Sequence, residues 1–581
     1  MHLAYLYVQS FGMLKNIGLS IDHRFSFNIN NGLLHIARNK SLPDKFWENG
    51  IYSLTAIVGN NGCGKTTAML LMKHLFVEGE PRQEDAKVLI VYEQNGELYI
   101  YNTVGIKVVI DYDITSHPIE TRSTIGTLYY SGHFQPYTGA EGEMELSGCY
   151  EASDAWLLIK DLQDYSNVDT LHLSEPLYNH LHAYYAQNHY RICELLALKG
   201  MDKVLDSLRM PKYIQFTPNK GGWTAIKLDR MKRYENLDIP GEQVTTKTLK
   251  EQALERFVYY DIVNLIAEDK GDQKELESLL KDWIQTDKIE GVLVTFERCI
   301  ATHQLSDETK RMLHSLQYVI GKLEAIADYD ETSGTFFINV MKSADKQRKM
   351  MEEVMRVPFF LTSKFFDIIY SHTLGANARL SSGELEMLNL LSRLYYGITI
   401  APRKYGNINS PRLLLLDEAE IGFHPDWQRQ YVKVLNEFMG YMQVKAGVDF
   451  QIVITSHSPI ILSDIPVCCI NFLKKQGIET VPVLDEEETF GENVFNLYRR
   501  AFFMDKGLIG AFAQKKLNQV VKDIEANEVT DTTRKTIALT GDLRIRDYLL
   551  RRLASKNVDA EIAYHEAKIL ELKAQRRKNN E

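Results

Sequence analysis

Gly59 and Gly64-Lys65-Thr66 stand at the G-x-x-x-x-G-K-T spacing of a loop that cradles phosphate. Glycines let successive backbone N–H groups turn inward and form an anion nest. The residues expected to line that nest are Gly59, Asn60, Asn61, Gly62, Cys63, Gly64, Lys65, Thr66 and Thr67. Lys65 would reach the β- and γ-phosphates of a nucleotide, and the Thr66 hydroxyl would hold Mg2+. A second group lies far along the chain. Four leucines, Leu413 to Leu416, run directly into Asp417 and Glu418. Asp417 would hold the same Mg2+, directly or through water, and Glu418 would polarise an attacking water. A third group closes the apolar run Phe450–Thr455 with Ser456-His457-Ser458-Pro459. His457 at such a tip would hydrogen-bond a γ-phosphate and sense its loss.

Two further stretches fit the same chemistry. Ser381 and Glu384 sit at capping-box spacing before a helix rich in leucine. Ser381, Ser382, Gly383 and Glu384 would therefore form an anion site at a helix N-terminus. Gln135 follows the run 125–130 and is the candidate lever for the γ-phosphate or Mg2+. ATP and Mg2+ are the expected cofactors. Glu418, His457, Lys65 and Gln135 are the expected catalytic residues, and Thr66, Asp417 and Gln135 the expected metal contacts.

These groups need rigid elements. Leu54–Val58 reads as a buried strand into the phosphate loop, and Lys65–Phe76 as the helix leaving it, with Ala68, Leu71, Met72 and Leu75 on one face. Period-two runs at 3–9 and 23–29, with 33–38, predict an antiparallel sheet ahead of the loop. Val88–Tyr92 and Leu98–Tyr101 are joined through Asn95-Gly96, a hairpin signal. Further strands are expected at 106–110, 125–130 and 365–370. Helical patches at 177–209, 247–284, 288–301 and 306–328 make 138–364 a mostly helical insertion, with strand-like pieces at 213–216, 224–227 and 335–340.

The chain has 581 residues, too many for one core. A composition of 45% hydrophobic and 25% charged residues is that of a globular protein. No apolar run is long enough to span a bilayer, and no signal peptide is evident, so a cytoplasmic location is expected. The six cysteines are scattered without a C-x-x-C, which fits a reducing compartment and no structural zinc. A formal net charge of -10 argues against a nucleic-acid-coated protein but permits a local basic groove.

Taken together, the motifs resemble the ATP-binding-cassette ATPases. Asn60–Thr66 resembles their Walker A, Leu380–Glu384 their signature, Leu413–Glu418 their Walker B, and His457 their switch histidine; Gln135 would be the Q-loop residue. The implied fold is α/β: an ABC-type P-loop ATPase head with an antiparallel subdomain and a large, mostly helical insertion. The implied divisions are 1–137 and 365–510 for the two halves of the head, 138–364 for the insertion, and 511–581 for a C-terminal interaction region. In such ATPases two heads sandwich ATP, so Ser381 and Gly383 would act in trans and the chain would work as a dimer or an assembly of dimers.

Asp417–Pro425 and Thr455–Pro459 resemble the soluble branch related to RecF, Rad50 and the overcoming-lysogenization-defect ATPases more than transporter cassettes. The Asp-x-Asp of the Toprim nucleases in that last group is not found after His457, so no nuclease site is expected. The ending Thr536–Asp542, read as a strand closed by Gly541-Asp542, followed by a basic helix at 543–555, resembles the PtuA ATPases of Septu and Septu-like retron defence systems. That resemblance implies a separate HNH nuclease of the PtuB kind as partner. In the retron forms it also implies a reverse transcriptase and an RNA–DNA hybrid. The implied function is an ATPase subunit of an anti-phage complex. The alternative is a RecF/Rad50-like repair ATPase that binds DNA directly; no membrane partner is implied.

Overall fold

The computed structural model describes residues 1–76, 87–133, 148–166, 176–201, 209–218, 248–267, 273–286, 292–340, 366–406, 410–483, 487–501 and 509–556, apart from short internal gaps, and a few isolated positions beyond them. The chain forms two compact units, Met1–Leu497 and Tyr498–Glu581.

The first unit is built on strands β1 (His2–Phe11), β2 (Leu14–Ser20), β3 (Phe25–Asn30), β4 (Leu33–Arg38) and β5 (Ile51–Gly59), helix α1 (Lys65–Leu75), and strands β6 (Val88–Gln94), β7 (Glu97–Asn102), β8 (Lys107–Ile110), β9 (Ser116–Ile119), β10 (Thr127–Ser131) and β11 (Cys149–Glu151). Helices α2 (Asp154–Ser166) and α3 (Pro176–Leu196) follow, then β12 (Tyr213–Pro218). Next come α4 (Leu249–Ala267), α5 (Gln273–Thr286), α6 (Val292–Thr302) and α7 (Asp307–Ile326), and strands β13 (Asp328–Asp330), β14 (Thr335–Asn339) and β15 (Phe366–Ser371). The chain continues through α8 (Ser382–Tyr395), β16 (Leu413–Asp417), α9 (Pro425–Ala446), β17 (Phe450–Thr455), β18 (Ile470–Gln476) and β19 (Glu479–Val483).

The central sheet has the order β11-β10-β16-β17-β5-β18-β19. All its neighbours pair in parallel except the β18–β19 hairpin at one edge. The four leucines of β16 are buried, as the unbroken apolar run requires of a strand covered on both faces. Helix α1 buries Ala68, Met69, Leu71, Met72 and Leu75 in the core that also takes Ile57 and Leu415. Helix α9 buries Tyr431, Leu435, Phe438 and Met442 at helical spacing.

A mixed sheet, β2-β1-β6-β7-β9, and a smaller one, β3-β4-β8, cover the N-terminal half. The hairpin β6–β7 turns through Asn95 and Gly96 at φ 53° and 88°, both left-handed as a two-residue turn demands.

The insertion is more than helical. Strands β13-β14-β12-β15 form a four-stranded antiparallel sheet. The strand expected at 365–370 to reopen the head pairs with β12 along its whole length, so it belongs to this sheet, and the central sheet takes up the chain again at β16. The patch expected at 247–284 is two helices, α4 and α5. The strand expected at 224–227, the linker at 138–147 and Gln135 lie outside the described residues.

Helices α2 and α3 are locked by a buried ion pair. Arg191 on α3 grips Asp161 on α2 with its two terminal guanidinium nitrogens, one at 3.0 Å, and both side chains are almost wholly buried. Asp161→Ala strands that guanidinium without its counter-charge. The expected loss is about 3–5 kcal/mol of stability, measured by urea unfolding. A loss under about 1 kcal/mol would contradict the pairing.

The second unit has its own small core. Helices α10 (Ala511–Ala526), α11 (Asp531–Ala538) and α12 (Leu543–Ala554) bring Val520, Ile524, Ile537 and Leu549 together. Thr536–Ala538 is thus the last turn of a helix, correcting the strand read there. Thr530 caps α11 by accepting from Thr533 N–H, and Ile537 is needed in the three-helix core. The basic face of α12 is partly neutralised: Arg551 pairs with Asp547 at 2.9 Å and Arg552 with Glu525 at 2.6 Å. Arg544 and Arg546 carry no ion pair among the described residues.

Candidate ATP site

The parallel order of the central sheet sets the ends of β10, β16, β17 and β5 side by side. Ligand sites in open α/β sheets form outside such carboxyl ends. The sheet gathers here what the sequence holds hundreds of residues apart.

From β5 comes the phosphate loop. A Cβ on Gly59 would lie 1.9 Å from the Leu473 carbonyl oxygen, so the chain passes β18 only as glycine. Gly64 takes φ 91° and starts α1 with no side-chain cap. The first N–H groups of a helix have no intrahelical partner, so this terminus is built to receive an anion. Asn60 and Cys63 are tied down at the loop's outer side: Asn60 Oδ1 accepts from Lys475 N–H at 3.1 Å, and the Thr480 hydroxyl donates to the Cys63 carbonyl at 2.9 Å. Those bonds tie the loop to β18 and β19.

From β16 comes Asp417, fully buried. It accepts hydrogen bonds from Thr455, from Tyr129 at 3.2 Å, and from Thr66. Burial raises its carboxyl above the usual range, while the Thr455, Thr66 and Tyr129 hydroxyls pull it back. A carboxylate bonded to the hydroxyl of the first helical turn is a hard-oxygen pair suited to Mg2+. Among the described residues no group of three or more His, Cys, Asp or Glu is gathered for a metal. One carboxylate and one hydroxyl fit an ion that takes its remaining ligands from phosphate and water. Thr66 and Asp417 would hold Mg2+, whose charge would offset that of the phosphates.

Glu418 stands next, in a left-handed conformation at φ 49° that a non-glycine residue rarely adopts. Its surroundings enforce it. Glu418 N–H donates to the Thr455 hydroxyl at 3.0 Å and the Thr455 carbonyl at 3.2 Å, and Gly132 N–H donates to the Asp417 carbonyl at 2.9 Å. A Cβ on Gly132 would lie 2.2 Å from the Glu418 carbonyl oxygen, so only glycine lets β10 approach this closely. Strain of this kind clusters where a side chain must be aimed.

The aimed carboxylate is surrounded. Oε1 lies 3.2 Å from His457 Nε2 and 4.0 Å from Lys65 Nζ; Oε2 lies 2.7 Å from His133 Nε2. Lys65 Nζ is itself 2.8 Å from His457 Nε2. Burial opposes the charge on Glu418, but the hydrogen bonds of His457 and His133 and the nearby Lys65 charge bring its carboxyl down to about 2. It is therefore ionised, the form a general base requires, at any ordinary pH. Because the folded value lies below the ordinary 4.5, this group adds stability above about pH 4.5 and loses it as pH falls through about 2. His457 is held from behind: its N–H donates to Glu420 at 3.3 Å, and Glu420 also accepts from Ser456.

The motif Ser381–Glu384 opens helix α8. Ser381 caps α8, and the box with Glu384 is complete. Ser381 and Ser382 are exposed, and the hydrogen bonds of Ser381 and Glu384 run to each other and to His372. The placement of this turn comes from the insertion. The buried Gln215 of β12 donates to Ser371 at 2.6 Å and accepts from Gly375 N–H at 3.0 Å, which shapes the turn from β15 to Ser381. Helix α8 is anchored by Arg393, bonded to Asp154 and, at 2.9 Å, to Tyr184. Gly383 faces Trp427 of α9; a Cβ there would meet the ring at 2.5 Å.

Lys65, Thr66, Asp417, Glu418 and His457 thus meet in one place. His133, Thr455, Tyr129 and Glu420 join them without having been singled out. Thr455 and Tyr129 lie on runs recognised as strands, but nothing in the local sequence marks either as a partner of Asp417.

Comparison with known proteins agrees with this geometry. Residues 1–462 match the family model described as AAA ATPase domain. Protein ea59 of Escherichia phage lambda is 23% identical over 183 residues, which is 32% of this chain and 31% of that protein. The chain thus aligns with about a third of the length of this curated relative. Two solved structures are similar to it in part: a recombination mediator protein RecF bound to ATPrS, at 12% identity, covering 83% of this chain and 98% of that one, TM-score 0.22; and an Smc head domain with an extended coiled coil bound to ScpA, from Pyrococcus furiosus, at 10% identity, covering 83% and 96%, TM-score 0.22. Superposition that loose carries no weight beside the strand order itself. With the family model spanning residues 1–462, and the phosphate loop, Asp417 and Glu418 at the ends of neighbouring parallel strands, the chain belongs to the AAA ATPase domain family.

Proposed function

We propose that the chain binds and hydrolyses ATP at a site completed by a second copy, and that the resulting opening and closing of the dimer acts on DNA. The observation that carries this reading is the cluster around Glu418. Lys65 and His457, the two groups a γ-phosphate would attract, both sit against the base that would activate water. A bound γ-phosphate would compete for Lys65 and His457 and release Oε1 of Glu418. Glu418 then takes a proton from water, the water oxygen bonds to the γ-phosphorus, and the bond to the bridging oxygen breaks to leave ADP and phosphate.

The exposed cap at Ser381, at the N-terminus of α8, supports a site shared between two copies. Lysines and arginines outnumber acidic residues in 498–581, although the whole chain is at -10, which supports a nucleic-acid partner. The narrower reading, a Septu-type ATPase gating an HNH nuclease, rests on an ending that folds as two helices and a turn. Sedimentation of the Glu418→Gln chain tests the proposal. A shift from monomer to dimer on adding ATP and Mg2+, and tighter binding of duplex DNA by the dimer, are expected. A chain that stays monomeric at saturating ATP would overturn the shared site. A dimer indifferent to DNA, yet co-purifying with a second protein, would favour the nuclease reading.

A further inference from the structure

We infer that His133 is the positioning residue for Glu418: it fixes the second carboxylate oxygen so that the first stays aimed at the attacking water. The inference rests on the hydrolytic reading of the site and adds a residue to it.

Glu418 has two oxygens with different neighbours. Oε1 faces Lys65 and His457, the groups a γ-phosphate would draw away. Oε2 has His133 at 2.7 Å, on the side of β10. When Lys65 and His457 turn to phosphate, His133 is the side-chain contact that remains among the described residues, and without it the carboxylate loses that restraint on its terminal torsion.

His133 is itself held by a chain of bonds that starts at the phosphate-loop helix. Lys73 of α1 pairs with Glu151 of β11, and Glu151 accepts from the Ser153 hydroxyl. Ser153 Oγ accepts from Ser131 N–H at 2.8 Å, and Ser131 Oγ accepts from His133 N–H at 3.3 Å. Between Ser131 and His133 stands Gly132, whose missing Cβ lets this turn lie on the Glu418 backbone. Both the backbone and the side chain of Glu418 are therefore set by the end of β10. A side chain held at both ends in this way supplies the fixed geometry that catalysis needs.

The test uses the full chain with His133→Ala and His133→Gln, and reads steady-state hydrolysis together with binding of a fluorescent ATP analogue. His133→Ala should lower kcat by about 10- to 100-fold with KM and analogue affinity within about twofold, the pattern of a lost transition-state contact. His133→Gln, which keeps an N–H donor, should recover most of that loss. In a Glu418→Gln background His133→Ala should cost nothing further, because the two act as one unit. Unchanged kcat in His133→Ala would overturn the inference. So would parallel losses of kcat, affinity and melting temperature that glutamine does not repair, since those mark a structural role. A parent chain that hydrolyses no ATP would instead remove the functional reading beneath it.

Discussion

Glu418→Gln should bind ATP as tightly as the parent or more tightly, and hydrolyse it about 10²- to 10⁴-fold more slowly. Glutamine keeps the length of the side chain, its acceptor oxygen and the backbone at φ 49°. It removes only the charge and the ability to take a proton. The parent carboxyl, kept ionised by the His457, His133 and Lys65 contacts before ATP binds, is ready to take a proton, so the loss is one of chemistry and not of population. Binding should not suffer, because the anion removed lies 4.0 Å from Lys65 and competes with phosphate for it. Phosphate release measured beside analogue titration separates the two effects. Hydrolysis within twofold of the parent would remove Glu418 from the mechanism.

Lys65→Ala should act on the other term. Lys65 is buried, and its ammonium lies 2.8 Å from His457 Nε2, at the start of α1. Losing a desolvated charge opposite phosphate costs about 2–5 kcal/mol, which is about 30- to several-thousand-fold in ATP affinity. The fold should survive, because Glu418 keeps His133 and His457 as partners. Analogue titration with circular dichroism as the control checks this. Affinity within threefold of the parent would mean the loop does not use Lys65 on phosphate.

Where the sequence is informative, local rules and tertiary need coincide. The four leucines of β16 spell a strand buried on both faces, and Asp417-Glu418 can only be its end. Asn95-Gly96 demands a turn that the register of β6 and β7 then obeys. Ser381 and Glu384 announce a helix start that the structure builds as a complete box.

Elsewhere the deciding contacts are distant. Strand β2 escapes a period-two reading because Asn16 takes φ 53° and breaks the alternation between Leu14 and Ile17. Phe366–Ser371 looks like a head strand in isolation, and only pairing with β12 assigns it to the insertion. Thr536-Ile537-Ala538 has strand composition, yet the Thr530 cap and the burial of Ile537 make it helix; a threonine in place of Glu or Gln at the third helical position hides that box. His133 carries no local signal at all. It becomes a partner of Glu418 only because β10 lies beside β16 in the sheet.

In the proposed dimer, one copy's phosphate loop and Glu418 work with the other copy's Ser381 turn. Mixing two inactive chains tests it most directly. Glu418→Gln has an intact Ser381 turn but no base, and Ser381→Arg has an intact base but a blocked turn. Each alone should be nearly inactive, and together they should form one working site per mixed dimer. Hydrolysis that rises on mixing, and peaks near equal proportions, is the expected result. Mixed dimers that form yet hydrolyse no faster than either chain alone would contradict the shared site.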